Sequence, residues 1–281
     1  MNNISPKYDP PLSSCPICGS NRIKLYHSDF RRNRIFRCEE CTFQFMNPQY
    51  SNAYLDEYYS IYIPSEGTEK CSHVFSFYLK TIERFSKNKG AALDYGCGDG
   101  QFIESYKQRG WEIFGFDLDC DSTKRVGKRT GSRVECGNFN KINWPGKFDL
   151  ISMNQVLEHV KDPRQLISDL TKHLNDEGLL FITVPNIRST SSTVKTFLER
   201  HNLRKRRVGA HYATDHHLLY FSPKTLKNLL RNFGYEIIYS RNGHKGLDKY
   251  SSLNRFIKKY ITEHLFRNSV YLVIAKKPQE F

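Results

Sequence analysis

Leu93-Asp94-Tyr95-Gly96-Cys97-Gly98-Asp99-Gly100 is the stretch that decides how this chain folds. The apolar run Ala91, Ala92, Leu93 predicts a buried strand, which ends in a carboxylate and then three glycines at alternate positions. Glycines at that density let a backbone turn sharply and approach a ligand where a side chain would block it. A helical stretch from Gln101 to about Arg109 follows, offering unpaired N–H groups and the positive end of its dipole to whatever occupies the turn. The turn is therefore read as a cofactor seat. It is not the dinucleotide fingerprint, because Gln101 stands where the third glycine belongs, and it is not a P-loop, because no Lys-Ser/Thr pair follows.

Working outward, Ile113 to Asp117 predicts the next parallel strand, again apolar and closed by an acid, one helix and a loop further on. A carboxylate at that tip can accept both hydroxyl protons of a ribose. A short strand from Arg133 to Cys136 leads into Gly137-Asn138-Phe139, and Phe148 to Asn154 reads as a fourth strand running into Gln155-Val156-Leu157-Glu158-His159-Val160 and Asp162-Pro163. Gly178 to Asn186 completes the series as a fifth strand, opened by Gly and closed by Pro185. The glycine turn resembles motif I of the class I S-adenosylmethionine (SAM) methyltransferases, and the later stretches resemble that family's motifs in order, over roughly Lys80 to Phe281.

The resemblance implies an α/β, Rossmann-like fold with a seven-stranded, mostly parallel sheet and an antiparallel terminal pair. It also implies that SAM is held by Asp94, Tyr95, Gly96, Cys97, Gly98, Gly100, Asp117, Leu118, Asn138, Phe139, Asn154 and Gln155. In that pattern Asp117 takes the ribose, a polar residue at Asn138 reads the adenine amine, and an apolar neighbour covers the ring.

Eight cysteines occur in 281 residues. Cys97, Cys120 and Cys136 lie in or beside predicted core elements and are read as reduced, small apolar residues; Cys71 is assigned no role. The other four form two C-x-x-C knuckles, Cys15-Pro16-Ile17-Cys18 and Cys38-Glu39-Glu40-Cys41, with Gly19 directly after the first. That spacing matches a four-thiolate site for structural Zn2+. Short strands, Ile23 to Tyr26 and Arg34 to Arg37, lie between the knuckles, so the segment reads as a zinc ribbon. It is too short to bury enough apolar surface alone, and the metal would supply the missing stability.

Beyond it run Phe43, Phe45, Asn47-Pro48, Tyr54, Tyr58, Tyr59 and Tyr62, then a predicted helix from about His73 to Phe85. This flow resembles zinc-ribbon methyltransferases of bacterial sugar, glycan or natural-product pathways. Most of the tyrosines are read as packing residues, with one or two facing the pocket. The expected division is a ribbon over 1–48, an aromatic and helical connector and lid over 49–90, and the methyltransferase domain over 91–281.

Charge is unevenly spread. The net formal charge is +14, yet residues 61–186 carry 17 basic and 17 acidic groups, while residues 187–281 carry 19 basic against 6 acidic. Arg200 and Arg204 to Arg207 form the densest cluster, with Lys258-Lys259 in a second basic stretch. Ligands of such sheets sit at the carboxyl ends of the strands, where the segments after the fifth strand contribute acceptor contacts. A field of this sign draws an anionic acceptor such as a phosphorylated or nucleotide-linked sugar, or else a nucleic acid or an acidic membrane surface.

An RNA substrate fits less well. The ribbon is nearly neutral, Val184-Pro185-Asn186 does not match the motif of exocyclic amine methylation, and Arg204 to Arg207 contains no aromatic to stack on bases. The expected acceptor is a small, anionic, sugar-like metabolite methylated on oxygen; an RNA methyltransferase and a non-catalytic SAM-binding protein are the alternatives. No apolar run is long enough to cross a bilayer and the first residues are not signal-like, so the expected location is cytoplasmic.

Methyl transfer to a hydroxyl needs an aligned lone pair and a base for the proton. His159, just past the fourth strand, and His217, in Asp215-His216-His217-Leu218-Leu219-Tyr220-Phe221-Ser222, are the candidates, with His216 and His211 behind them. Glu158-His159 also invites comparison with quinone-pathway O-methyltransferases, whose E-x-x-E-H cluster can hold a divalent ion. Here Gln155 replaces the first acid, and an amide is a poor ligand for a hard cation. The tail predicts strands over Tyr235 to Tyr239 and Val270 to Ala275, separated by an insert with a helical piece from about Leu253 to Leu265.

Overall fold

Strand tips and helix caps set the architecture of the computed structural model, which describes residues 5–61, 70–87, 89–242 and 269–278. The expected Tyr62, the Leu253–Leu265 helical piece and Lys258-Lys259 lie outside them. The N-terminal part holds three strands, β1 (Ile23–Ser28), β2 (Arg34–Cys38) and β3 (Gln44–Met46), followed by helices α1 (Asn52–Ile61) and α2 (Lys70–Glu83). Alternation of strand and helix then runs through β4 (Ala91–Tyr95), α3 (Gln101–Gln108), β5 (Glu112–Asp117), α4 (Cys120–Thr130), β6 (Val134–Cys136), β7 (Phe148–Asn154), α5 (Pro163–Lys172) and β8 (Leu174–Pro185). The remainder is α6 (Thr190–Arg200), β9 (Leu219–Tyr220), α7 (Pro223–Arg231), β10 (Glu236–Asn242) and β11 (Val270–Lys276).

Seven strands form one sheet in the order β10-β11-β8-β7-β4-β5-β6, parallel from β8 to β6, with β11 antiparallel to both β8 and β10. The order reverses between β4 and β7, and the crevice beyond the carboxyl ends at such a switch point is where ligands of open α/β sheets bind. Both faces of the sheet are covered, which is why its strands read as unbroken apolar runs. Ala92, Leu150, Phe181 and Leu272 pack with Leu79, Phe102 and Tyr106 of α2 and α3. Their neighbours Leu93, Ile151, Ile182 and Val273 belong to a second core with Ile167 of α5 and Leu229 of α7.

That second core also contains Ile35, Phe43, Phe45 and Met46 from the ribbon. The ribbon strands make a four-stranded sheet in the order β1-β2-β3-β9, so its fourth strand comes from beyond the fifth strand of the large sheet. Nothing local in Leu219-Tyr220 announces a strand; β3 supplies its partner from more than 170 positions away.

Helix starts follow from their caps. The Asp162 carboxylate accepts the Gln165 N–H at 2.9 Å and Pro163 occupies the first helical position, so the Asp-Pro pair opens α5. Ser222 and Thr225 form a reciprocal capping box at α7, again with Pro at its start.

One expectation is corrected. Cys120 and Cys136, read as reduced, are joined by a disulfide across a Cα–Cα distance of 5.2 Å. The reason is topological: Cys136 is the register partner of Asp117, and Cys120 opens the helix directly after that strand tip. Cys97 is a buried free thiol, as expected.

Candidate active site

Three backbone contacts fix the glycine turn. The N–H groups of Gly96 and Cys97 donate to the Phe116 carbonyl at 2.7 and 3.0 Å, and the Gly98 N–H donates to Asp117 Oδ2 at 2.8 Å. The other Asp117 oxygen accepts the Asp119 N–H at 3.1 Å, so the carboxylate at the tip of β5 is held by the loops on both sides. Gly96 has φ +77°, and a Cβ there would lie 2.4 Å from Val156 Cγ2; at Gly98, φ +52°, a Cβ would meet open space. The second glycine thus leaves a gap at the sheet edge, bordered by Asp117 and by Leu118, an apolar side chain 71% exposed. A gap, a carboxylate and an uncovered apolar wall suit an adenosyl group.

The other expected cofactor residues divide. Asn154 and Gln155 meet at the tips of β7 and β8, where Thr183 Oγ1 donates to Asn154 Oδ1 at 2.6 Å and the Gln155 amide donates to Thr183 Oγ1 at 3.2 Å. Asn138 is exposed, its side chain accepting the Asn140 N–H at 3.1 Å. Phe139, by contrast, is buried edge-on against Tyr95 and Phe116 and supports the turn from beneath. Asp94 is only 2% exposed and accepts from Ser152 Oγ at 2.9 Å; burial, reinforced by Asp117 and Asp99, pushes its carboxyl up to about 7. It braces β4 against β7 at the switch point rather than lining the gap.

The two candidate bases are brought together. His159 and His217 pack edge to face with ring centroids 4.9 Å apart, and His216 stacks on His159 at 5.4 Å. His159 Nδ1 lies 3.0 Å from the Tyr59 hydroxyl and 3.0 Å from the His216 carbonyl, so one tyrosine of the aromatic segment does reach this cluster. Tyr50 and Tyr54 instead pack in the core. Burial, with the neighbouring histidines, pushes His159 down to about 4 and His217 down to about 2, so both imidazoles are neutral near pH 7.

Glu158 is 1% exposed, and among the described residues neither carboxylate oxygen has a hydrogen-bond partner. Burial pushes it up to about 8, which makes it a protonated carboxylic acid at neutral pH. Ligating atoms of Glu158, His159 and His217 lie within 4.8 Å of one another. Gln155 stands where a second carboxylate would be, and one carboxylate with two imidazoles is a poor donor set for a hard cation.

A cavity of about 290 Å³ opens beside Gln155, lined by His217, His211, Ser191, Ser192, Lys195 and Tyr220 among others. The sequence reading missed Ser191, Ser192 and Lys195. Their signal was the Ser189 cap, whose Oγ accepts the Ser192 N–H at 3.2 Å and starts α6 where four consecutive hydroxyl residues follow.

In the N-terminal ribbon the four knuckle sulfurs converge, with Cys15 to Cys41 and Cys18 to Cys38 both 3.6 Å apart. A tetrahedron with Zn–S bonds of about 2.3 Å has edges of roughly 3.8 Å, so the set fits zinc. Gly19 (φ +72°) and Thr42 (φ +66°) occupy equivalent left-handed positions after the two knuckles. The Gly19 and Thr42 N–H groups donate back to the Cys15 and Cys38 carbonyls.

A sheet of this order with a glycine turn at its switch point is the frame of the class I SAM-dependent methyltransferases. The chain belongs to the family described as "Methyltransferase domain", whose profile matches residues 71–240. It is similar to the ubiquinone biosynthesis O-methyltransferase of Xanthomonas euvesicatoria pv. vesicatoria, 27% identical over 62% of this chain and 74% of that one. The ubiquinone biosynthesis O-methyltransferase of Glaesserella parasuis serovar 5 is 32% identical over 38% of this chain and 49% of its own.

Among solved structures, the magnesium protoporphyrin IX methyltransferase of Synechocystis PCC 6803, determined with bound SAH, aligns with TM-score 0.52 at 13% identity. That alignment covers 80% of this chain and 95% of that one. A SAM-dependent methyltransferase from Archaeoglobus fulgidus aligns with TM-score 0.51 at 19% identity, over 81% of this chain and all of its own. These likenesses carry the fold. The protein is a SAM-dependent methyltransferase. No helix among the described residues is long and apolar enough to cross a membrane.

Proposed function

We propose that the chain methylates an oxygen of a small, hydroxylated, negatively charged acceptor, sugar-like in character, seated in the cavity beside Gln155. The observation that carries this reading is the lining of that cavity: hydroxyls from Ser191 and Ser192, one cation from Lys195, and the neutral imidazole of His217 at its wall. When bound, SAM supplies an electrophilic methyl on a sulfonium. Asp117 accepts the ribose hydroxyls, Leu118 and Asn138 border the adenine, and Asn154 and Gln155 separate the cofactor from the acceptor.

His217 is the proton acceptor. Its depressed basicity rises when an anion enters the cavity, because a nearby negative charge favours imidazolium. His159 and the protonated Glu158 stand behind it, and the Tyr220 hydroxyl donates to the His217 carbonyl at 2.9 Å, fixing the loop. The relatives named for ubiquinone biosynthesis support oxygen as the methylated atom. The serine hydroxyls and the Lys195 cation suit a hydroxylated anion, and Pro185, Ile187, Leu219 and Val270 in the same lining face its carbon skeleton.

Four thiolates from Cys15, Cys18, Cys38 and Cys41 would hold a structural Zn2+, a closed set with no open position for catalysis.

The test uses the full chain with SAM carrying a labelled methyl. It is offered phosphorylated and nucleotide-linked sugars, hydroxylated aromatic acids and total RNA. Transfer to the first group is expected, and His217→Ala should slow it about 10²- to 10⁴-fold with SAH binding by calorimetry unchanged. Transfer to RNA, or an undiminished rate in His217→Ala, overturns the reading.

A further inference from the structure

A second depression, about 740 Å³, opens at the same sheet edge and takes no part in the site above. Five separate segments build it: Thr42 of the second knuckle, Arg188 after β8, the Ser222–Arg231 face of α7, Asn242 at the end of β10, and Tyr271 of β11. Its charge is one-sided. Lys224, Lys227 and Arg231 recur at helical spacing on the face of α7 opposite its buried Leu226, Leu229 and Leu230, and Arg188 faces them from another element. Among the described residues no carboxylate lines the cleft. Among the described residues none of these four cations has a carboxylate within 4.0 Å, whereas Arg22, Arg109, Arg129 and Arg133 each do.

A solvated basic helix face would explain the three α7 cations. It would not explain a fourth brought to them by a loop across a cleft, since like charges gathered at close range repel one another. The start of α7 adds its positive dipole end at Ser222 and Lys224.

The cleft also adjoins the acceptor cavity. Asn186 lines that cavity and donates to Asn242 of the cleft at 3.3 Å. The backbone passes from one to the other at Ile187–Arg188, and again at Val270–Tyr271.

We infer that this cleft binds the phosphoryl or diphosphoryl group of the acceptor, while the hydroxylated part of the same molecule reaches past Asn186 toward His217. The inference rests on the acceptor reading given above and narrows it to phosphate esters. Fork-shaped guanidinium groups and lysine point charges are the side chains suited to such anions.

Inorganic pyrophosphate is the probe, titrated by calorimetry into the full chain saturated with SAH. The wild type should bind it. Lys227→Gln/Arg231→Gln should weaken binding about tenfold or more for each cation removed, as expected for charge-assisted hydrogen bonds. The control Lys205→Gln/Arg206→Gln, on the exposed basic loop after α6, should bind within about twofold of wild type. Unchanged SAH affinity in both variants shows that they are folded.

No pyrophosphate binding by the wild type, or equal loss in the control, overturns the site and leaves the His217 reading standing. Pyrophosphate binding without transfer to any hydroxylated acceptor overturns the acceptor reading alone. A single-stranded RNA that binds the wild type tightly, is lost in Lys227→Gln/Arg231→Gln, and is not displaced by pyrophosphate would reassign the cleft to nucleic acid and refute the inference.

Discussion

Replacing Gly96 and Gly98 separately by alanine should separate the structural from the ligand-facing part of the turn. Both glycines lie in the left-handed region, at φ +77° and +52°, where an L side chain costs about 1–2 kcal/mol. They differ in what surrounds them. A methyl at 96 would press on Val156 Cγ2 at 2.4 Å, adding an overpacking cost of about 1–3 kcal/mol; at 98 it would touch nothing. Gly96→Ala should therefore lose about 2–5 kcal/mol and Gly98→Ala about 1–2.

For a chain of this size each kcal/mol lowers the melting temperature by roughly 2–4 °C, so the first variant should melt below the second by about 2–12 °C. Affinity should follow the opposite logic. The 98 methyl occupies the space that a bound adenosyl group needs, and calorimetry with SAH should register a loss of at least about tenfold, out of proportion to the small change in melting. Equal melting temperatures for the two variants would refute the packing argument. Wild-type SAH affinity in Gly98→Ala would refute the assignment of the gap to the cofactor.

Other outcomes follow from buried charge and shared strands. Glu158, raised to about 8, and Asp94, raised to about 7, ionise at much lower pH in the unfolded chain. Their contribution to stability is full below about pH 4 and is lost as pH rises toward 8, whereas His159 and His217, held near 4 and 2, make stability fall as pH drops below about 6.5. From these four groups melting temperature should peak near about pH 5, where the loss from the two carboxyls and the gain from the two imidazoles balance, and Glu158→Gln should flatten the alkaline side of that curve in a calorimetric scan. Cys38→Ser should abolish the one zinc per chain expected by elemental analysis. It should also depress methyl transfer, because the ribbon sheet carries the strand that follows His217. Lys195→Met should raise KM for a charged acceptor about tenfold with little change in kcat, read from initial rates at fixed SAM.

Much of this was legible because the signals are local. Apolar runs closed by acids marked β4 and β5, and Phe148 to Asn154 carries its own boundaries. The caps at Asp162-Pro163 and Ser222-Pro223 involve only near neighbours, so these two helix starts are encoded locally. The two knuckles were legible for the same reason.

What escaped depends on distant partners. Leu219-Tyr220 becomes a strand only because β3 lies beside it. Cys120 and Cys136 meet only because two parallel strands end in register. Glu158, a charged residue in a motif, gives no sign in sequence that it will be sealed from water. Phe139, in the turn after β6, and Asp94, near the end of β4, carry no sign in sequence that both side chains will be buried in the fold. Arg188 reads as an isolated basic residue until α7 is folded against it.

The two-residue strand β9 has a consequence for how this enzyme could be altered. Backbone pairing runs from Phe45 to Leu219, and the Leu218 N–H donates at 2.9 Å to the Glu158 carbonyl while its own carbonyl accepts from Met46. One residue, Leu218, therefore couples the ribbon to the loop that bears the histidines. Trimming the first 48 residues would remove the strand that pairs with Leu219 and Tyr220 in the wall of the cavity beside Gln155. Grafting another ribbon in their place would shift the register of that wall, so selectivity could drift through mutations that never touch the bound metabolite.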